Sequence, residues 1–176
     1  NNRNPIETPE DLAGMKLRTM ENPVHLAAFN AIGAAPTPMA WPEVIGALQQ
    51  GTIDGQENPL SVIVSVKLDE VQKYLTLSGH VYSPAMLLVS KPFWDGLSDD
   101  DKVVFEEGAA EAVAAMRSYV DDVEQSGVAT LKERGMQVNE LSKEQKAAFR
   151  ASIESAYETY YDTYGKDLID QISATE

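Results

Sequence analysis

An α/β fold with a small parallel sheet is what this sequence predicts, and three observations predict it. First, the stretch from Lys16 to Leu60 repeats one short pattern three times: an apolar run, a few polar residues, then a proline. Second, the residues after each proline fall at helical spacing, as in Val24, Leu26, Ala27, Phe29 and Ile32. Third, apolar residues recur at helical spacing all the way from Ser98 to Arg134. Each copy of the repeated pattern is a strand running into a helix. Proline suits the first helical position, where its fixed φ fits and its missing N–H costs nothing.

In chain order, Thr8-Pro9-Glu10-Asp11-Leu12 predicts one helical turn: an N-cap, a proline, then acids in the first turn. The first strand-to-helix turn runs from Lys16 to Pro23 and the second from Pro36 to Pro42. The third runs from Thr52 to Pro59. Asn22 and Asn58 precede their prolines as N-cap residues, and Gly33 and Gly51 sit where helix C-caps are expected. A strand–helix–strand unit typically takes roughly 30 residues or more. The prolines here are closer together, so the helices are short, about three turns at most.

From Lys73 to Ser90 the pattern turns extended, interrupted at Gly79-His80 and at Pro84, and reads as two strands passing from one sheet to another. Ser98 caps the long helix, with Asp99, Asp100 and Asp101 favourably placed against its dipole. Gly127 is a possible bend, and Gly135 ends the helix. Met136 to Leu141 alternates as a strand. Ser142-Lys143-Glu144-Gln145 is a capping box opening a helix to Tyr164, and a last helix spans Asp167 to Ile172.

Composition narrows the function. At 176 residues with 43% hydrophobic content, the chain has enough apolar material for a core. A net charge of −14 argues against binding nucleic acid or an anionic membrane. It leaves room for a small anion, because one embedded arginine dominates a desolvated pocket. Without cysteine there is no disulfide or thiolate chemistry. No apolar run reaches membrane-spanning length; Ser61 to Val66 is far too short. No signal-peptide pattern opens the chain, which starts on the loop-like Asn1-Asn2-Arg3-Asn4-Pro5.

Ligands of open α/β sheets bind beyond the carboxyl ends of the strands, which places Arg18, Glu21, Trp41, Glu57 and Asn58 along one rim. Between Met15 and Leu60 the basic residues are Lys16 and Arg18, against Glu21, Glu43, Asp54 and Glu57. Arg18 is suited to holding a carboxylate at two points; the alternative is a structural pair with Glu21 or Glu57. Asn58 either donates to the same ligand or only caps a helix. Trp41 is either a flat wall of the pocket or core. Glu21 and Glu57 either accept hydrogen bonds from ligand hydroxyls or are solvated loop acids. His25 reads as a surface residue of a helix, and His80 as a satisfied structural histidine. Tyr157, Tyr160, Tyr161 and Tyr164 form a packing stripe. No metal-ligand spacing and no nucleophilic triad stands out, so no cofactor or catalytic machinery is expected.

Several motifs stand out together: Pro9-Glu10-Asp11-Leu12-Ala13-Gly14-Met15-Lys16-Leu17-Arg18, Gly33-Ala34-Ala35-Pro36-Thr37-Pro38-Met39, Glu43-Val44 with Ala47-Leu48-Gln49, Asp54-Gly55-Gln56-Glu57-Asn58-Pro59 and Val71-Gln72-Lys73-Tyr74-Leu75-Thr76-Leu77-Ser78-Gly79-His80. In combination they resemble the solute-binding proteins of TRAP (tripartite ATP-independent periplasmic) transporters of the DctP type. The resemblance implies a periplasmic-binding-protein-like α/β fold with small parallel sheets, flanking helices, a crossing hinge strand and a long helix. It implies two lobes that close on an organic acid and deliver it to membrane permease subunits. Arg18 matches the arginine that salt-bridges the ligand carboxylate, Asn58 an asparagine that also contacts it, and Trp41 a pocket wall that is often phenylalanine. Members of the family are much longer, so the first lobe is expected to be largely missing, with a second ligand-facing arginine that Arg3 does not match. On this basis residues 1–72 form a ligand-binding lobe, 73–90 the hinge, 91–135 a helical segment bridging the lobes, and 136–176 a terminal strand and helices. The alternative is an enzyme or helical interaction module on a small α/β scaffold.

Overall fold

The computed structural model describes residues 1–175. Its first sheet has β1 (Lys16–Thr19) at the centre, with β2 (Ala35–Pro38) and β3 (Gly55–Gln56) parallel on either side. Arg18 lies opposite Thr37 on one flank and Gln56 on the other. All three strands therefore end at the same rim, and each runs into a helix there: α1 (Pro23–Ala31), α2 (Trp41–Gln50) and α3 (Leu60–Ser65). The proline punctuation works as expected at α1, where Asn22 Oδ1 accepts from the N–H of Val24 at 2.8 Å and of His25 at 3.4 Å. Gly51 closes α2 in the left-handed conformation, φ +69°, which glycine adopts without the Cβ penalty. At the third copy the helix starts one residue late. Pro59 occupies the cap position and Asn58 caps nothing.

A second sheet pairs β4 (Tyr74–Leu77) with β5 (Gln137–Glu140), again parallel. The first residues of the chain tie the two sheets together. The Asn2 N–H donates to the Asp54 carbonyl at 2.9 Å, and the N–H groups of Lys73 and Tyr74 donate to the Asn1 carbonyl. Gly55 permits this approach, since a Cβ there would lie 2.7 Å from that of Asn1.

One core fills the space beneath α2, α3 and the end of the long helix, with Val44, Leu48, Ile53, Ile63, Leu68, Leu131 and Met136 buried. A smaller one joins Leu12, Met15, Leu17 and Ala34 to Phe29 and Phe149. The helix α4 (Lys91–Asp95) precedes α5 (Asp99–Glu133), a continuous helix of 35 residues, about 52 Å long. Ser98 caps it, accepting from the Asp101 N–H. Gly127 does not break it but lets α3 approach: an added Cβ would meet Val123 Cγ1 at 3.1 Å and Val64 Cγ2 at 3.4 Å. Only the last part of α5 is buried, through Val123, Gly127 and Leu131, while Val103, Val104, Val113 and Met116 are exposed.

The structure departs from the sequence reading in two further places. Of the two strands expected between residues 73 and 90, only β4 forms. Residues 78–90 carry no regular structure and expose Tyr82, Met86, Leu87 and Leu88. A strand needs an edge to pair with, and no strand among the described residues reaches this segment. The helix expected from Ser142 to Tyr164 begins with its capping box intact, the Ser142 N–H donating to Gln145 Oε1 at 2.8 Å. It is then divided into α6 (Lys143–Ser152), α7 (Glu154–Thr159) and α8 (Tyr161–Tyr164) before α9 (Lys166–Ser173). The breaks fall at Ile153 and Tyr160, both near φ −105°, ψ 5°. They turn α7 onto α1, where Ala156 is buried. The tyrosines accordingly do not form one continuous stripe, and Tyr157 and Tyr164 are exposed.

Gly127 yields a first prediction. Leucine at 127 overfills the α3–α5 seam and should destabilise by about 1–3 kcal/mol. Alanine should be nearly neutral, because its gain in helix propensity, about 1 kcal/mol, offsets the tight Cβ contact. Urea unfolding of both variants measures the difference.

Candidate functional site

The carboxyl-end rim of the first sheet is organised by Arg18. As the third residue of β1 it turns its side chain into the protein and is 5% exposed. Its Nε and Nη2 both donate to the Met39 carbonyl, at 3.0 and 2.9 Å. Met39 lies in the turn between β2 and α2, so one carbonyl fixes the guanidinium plane. The first residue of α2, Trp41, puts its ring 5.5 Å from the Arg18 guanidinium carbon, a cation–π contact worth roughly 0.5–2 kcal/mol. Trp41 also packs against the main core, as its core reading expects.

Arg18 is not a structural ion pair. Among the described residues no carboxylate oxygen lies within 4.0 Å of its nitrogens. Burial lowers its pKa from the usual arginine value, and the charges of Glu57 and Glu21 partly restore it. Arginine starts so far above neutrality that it stays charged. The result is a desolvated cation, fixed in its plane, with two of five N–H donors engaged by protein.

Glu57 is neither solvated nor free. Its side chain is 14% exposed and lies between two histidines, 3.2 Å from His80 Nε2 and 3.8 Å from His25 Nδ1. His80 also shares a 2.8 Å hydrogen bond with the Ser78 hydroxyl and packs edge-on to Phe29. His25, read from sequence as a surface residue, is largely buried, and its Nδ1 has no hydrogen-bond partner. Glu21 is exposed beyond the end of β1. Asn58 donates through Nδ2 to Gln56 Oε1 at 2.6 Å.

The rim thus brings Arg18 and Trp41 into contact and adds Glu57 through its charge. Sequence reasoning missed the Met39 carbonyl, His25 and Gln56 as parts of it. Only Gln56 left a signal, since its register opposite Arg18 follows from pairing the first and third strands. A separate open hollow of about 420 Å³ lies among α6 to α9, lined by Arg150, Tyr157, Tyr161 and Lys166. Both cations there are engaged, Arg150 with Ser173 and Lys166 with Asp170. Among the described residues no cluster could hold a metal ion, and no helix is long and apolar enough to cross a membrane.

Three parallel strands thus end at one rim around a buried arginine that no carboxylate of the described residues contacts. The chain belongs to the DctP family of bacterial extracellular solute-binding proteins, family 7, whose model matches residues 1–163. It is 46% identical to a solute-binding protein of Verminephrobacter eiseniae, over 100% of this chain and 52% of that protein. A TRAP periplasmic solute-binding protein from Bordetella bronchispeptica, whose density is assigned to pantoate, superposes with a TM-score of 0.91. The two are 55% identical, over 100% of this chain and 57% of that one. One from Polaromonas sp. JS666, bound to D-erythronate, gives a TM-score of 0.91 at 48% identity, covering 99% and 57%. The chain spans about half the length of these relatives. These are solute-binding proteins, not enzymes, so the enzyme alternative is set aside.

The contrast between the two asparagines is testable. Asn22→Ala removes a working N-cap and should cost about 1 kcal/mol. Asn58→Ala removes no cap and should cost less. Guanidinium denaturation of the two variants reads the order directly.

Proposed function

We propose that this chain forms one side of the ligand site of an extracytoplasmic, periplasmic TRAP solute-binding protein. That protein captures an organic acid anion and delivers it to the membrane permease subunits. The observation that carries the reading is Arg18: a buried guanidinium, held flat by the Met39 carbonyl and Trp41, with no protein carboxylate in reach. Burying a cation without an anion is costly. A ligand carboxylate arriving at the rim supplies the missing charge through the remaining donors. Trp41 forms a flat wall beside it, Asn58 adds a second donor, and Glu57 and Glu21 are placed to accept from ligand hydroxyls. Both solved relatives described above are associated with hydroxy acids, pantoate and D-erythronate. A hydroxylated monocarboxylate is accordingly the first class to test here.

In the whole protein, residues 1–72 act as the ligand-binding lobe and residues 73–90 as the crossing segment. Residues 91–135 bridge the lobes, and 136–176 pack on them. The exposed apolar residues of 81–89 and of the first half of α5 support this division, since both are surfaces that a further lobe would cover.

The full-length protein is tested by calorimetry against D-erythronate, pantoate and succinate. Losing one partner of a buried charge pair costs roughly 2–5 kcal/mol. Arg18→Ala is therefore expected to weaken the tightest of these acids about 30-fold to several thousand-fold. Arg18→Lys should fall at the lower end, because an ammonium replaces the charge but not the two-point geometry. Circular dichroism should show the fold retained in both. Near-native affinity in Arg18→Ala would mean that the carboxylate is held elsewhere.

A further inference from the structure

Asn58 stands at one end of a row of three side-chain amides. Its Nδ2 donates to Gln56 Oε1 at 2.6 Å, and Gln56 Nε2 donates to Gln72 Oε1 at 3.3 Å. Gln72, just ahead of β4, is 4% exposed, and its own Nε2 is buried without a partner. Each amide donates one step inward, and the row ends on a donor left unpaired inside the protein. An unsatisfied buried amide N–H destabilises a fold, whereas an apolar side chain of the same shape would not. Packing alone gives no reason for glutamine at 72.

The polarity of the row supplies one. A free asparagine side chain turns about a broad, two-fold torsion and offers a ligand its oxygen or its nitrogen with little preference. With the Gln72 carbonyl facing Gln56, Gln56 turns its nitrogen inward and its oxygen towards Asn58. That oxygen holds the Asn58 amide nitrogen. The second N–H of Asn58 remains, with no protein partner among the described residues.

We propose that Gln72 and Gln56 are positioning residues. They fix the Asn58 amide so that it meets the ligand as a hydrogen-bond donor, the polarity a carboxylate requires. This rests on the reading of Asn58 as a ligand contact, and its test separates the two. Gln56 is bound to the same geometry by register, lying opposite Arg18 across the β1–β3 pairing. The two groups that would grip the anion are thereby referenced to the same pair of backbone positions.

The test uses the full-length protein, with D-erythronate, pantoate and succinate as calorimetric probes. Gln72→Met keeps the side-chain volume and removes the unpaired amide, so its Tm should hold or rise. Its affinity for the tightest probe should nevertheless fall about three- to tenfold. Gln56→Met should weaken binding in the same way. In an Asn58→Ala background, Gln72→Met should cause no further loss. A purely structural glutamine would lower Tm and affinity together, or act equally in both backgrounds, and either outcome overturns the proposal. If Asn58→Ala leaves affinity unchanged, the ligand reading of Asn58 falls and the relay with it. If Asn58→Ala weakens binding but Gln72→Met does not, the relay alone falls. A ligand-free arm follows the Asn58 side-chain amide by ¹⁵N NMR. Its resonances should move in Gln72→Met, and unmoved resonances overturn the proposal whichever probes bind.

Discussion

Two hydrogen bonds from one guanidinium to the Met39 carbonyl are the constraint on which the rim depends. They join the end of β1 to the turn leading into α2, and so set where Trp41 can stand. Hydrogen bonds to a charged group contribute roughly 1.5–3 kcal/mol each, enough to hold an arginine out of water in the absence of an anion. Arg18 is largely removed from solvent with no ligand present. In the proposed site a carboxylate would have no internal acid to displace, and the guanidinium no plane to find. The acid with the larger effect on its charge, Glu57, is occupied by His80 and flanked by His25. The histidines thus keep its carboxylate off the arginine while its field still reaches it.

Much of this was legible in the sequence because proline and capping residues act locally. Pro23, Pro42 and the Ser142 capping box mark helix starts through φ and a single orphan N–H, and neither needs tertiary context. Asn58 escaped because a one-residue shift in helix onset gives the cap position to Pro59 and frees the amide for other work. His25 escaped for a different reason. Its helical position says which way it points, but Glu57 arrives from a turn some thirty residues later, and only the parallel register brings it there. Tyr82 to Val89 carries strand-type residues that suit an apolar, extended setting. Residue type alone does not say where the pairing edge comes from. The α6–α7–α8 breaks carry no proline or glycine signal at Ile153 or Tyr160. They come from docking on α1, which overrides a locally consistent helical pattern.

The long helix shows the same division between local and distant causes. Ser98 and three aspartates define its start and Gly135 follows its end. Its middle is alanine-rich, and its burial is confined to the third that meets α3. At that seam the absence of a side chain at Gly127 brings Val64 and Val123 together. The sequence reading took the same residue for a bend. A glycine within a helix has either use, and only the partner surface decides between them.

Of the rim residues, only Arg18 and Gln56 are strand residues. Trp41 opens a helix, and Glu21, Glu57 and Asn58 occupy strand-to-helix turns. Glu21, Glu57 and Asn58 lie outside the hydrophobic core, whereas Trp41 packs against it. On the proposed reading the scaffold separates grip from taste. Arg18 would give any carboxylate the same handle, while Glu21, Glu57 and Asn58 can be exchanged without disturbing Val44, Ile53 or Leu68. Such an arrangement is evolvable in a particular direction: new acids can be recruited by changing the turns, while the shared anionic head group stays under the control of the sheet.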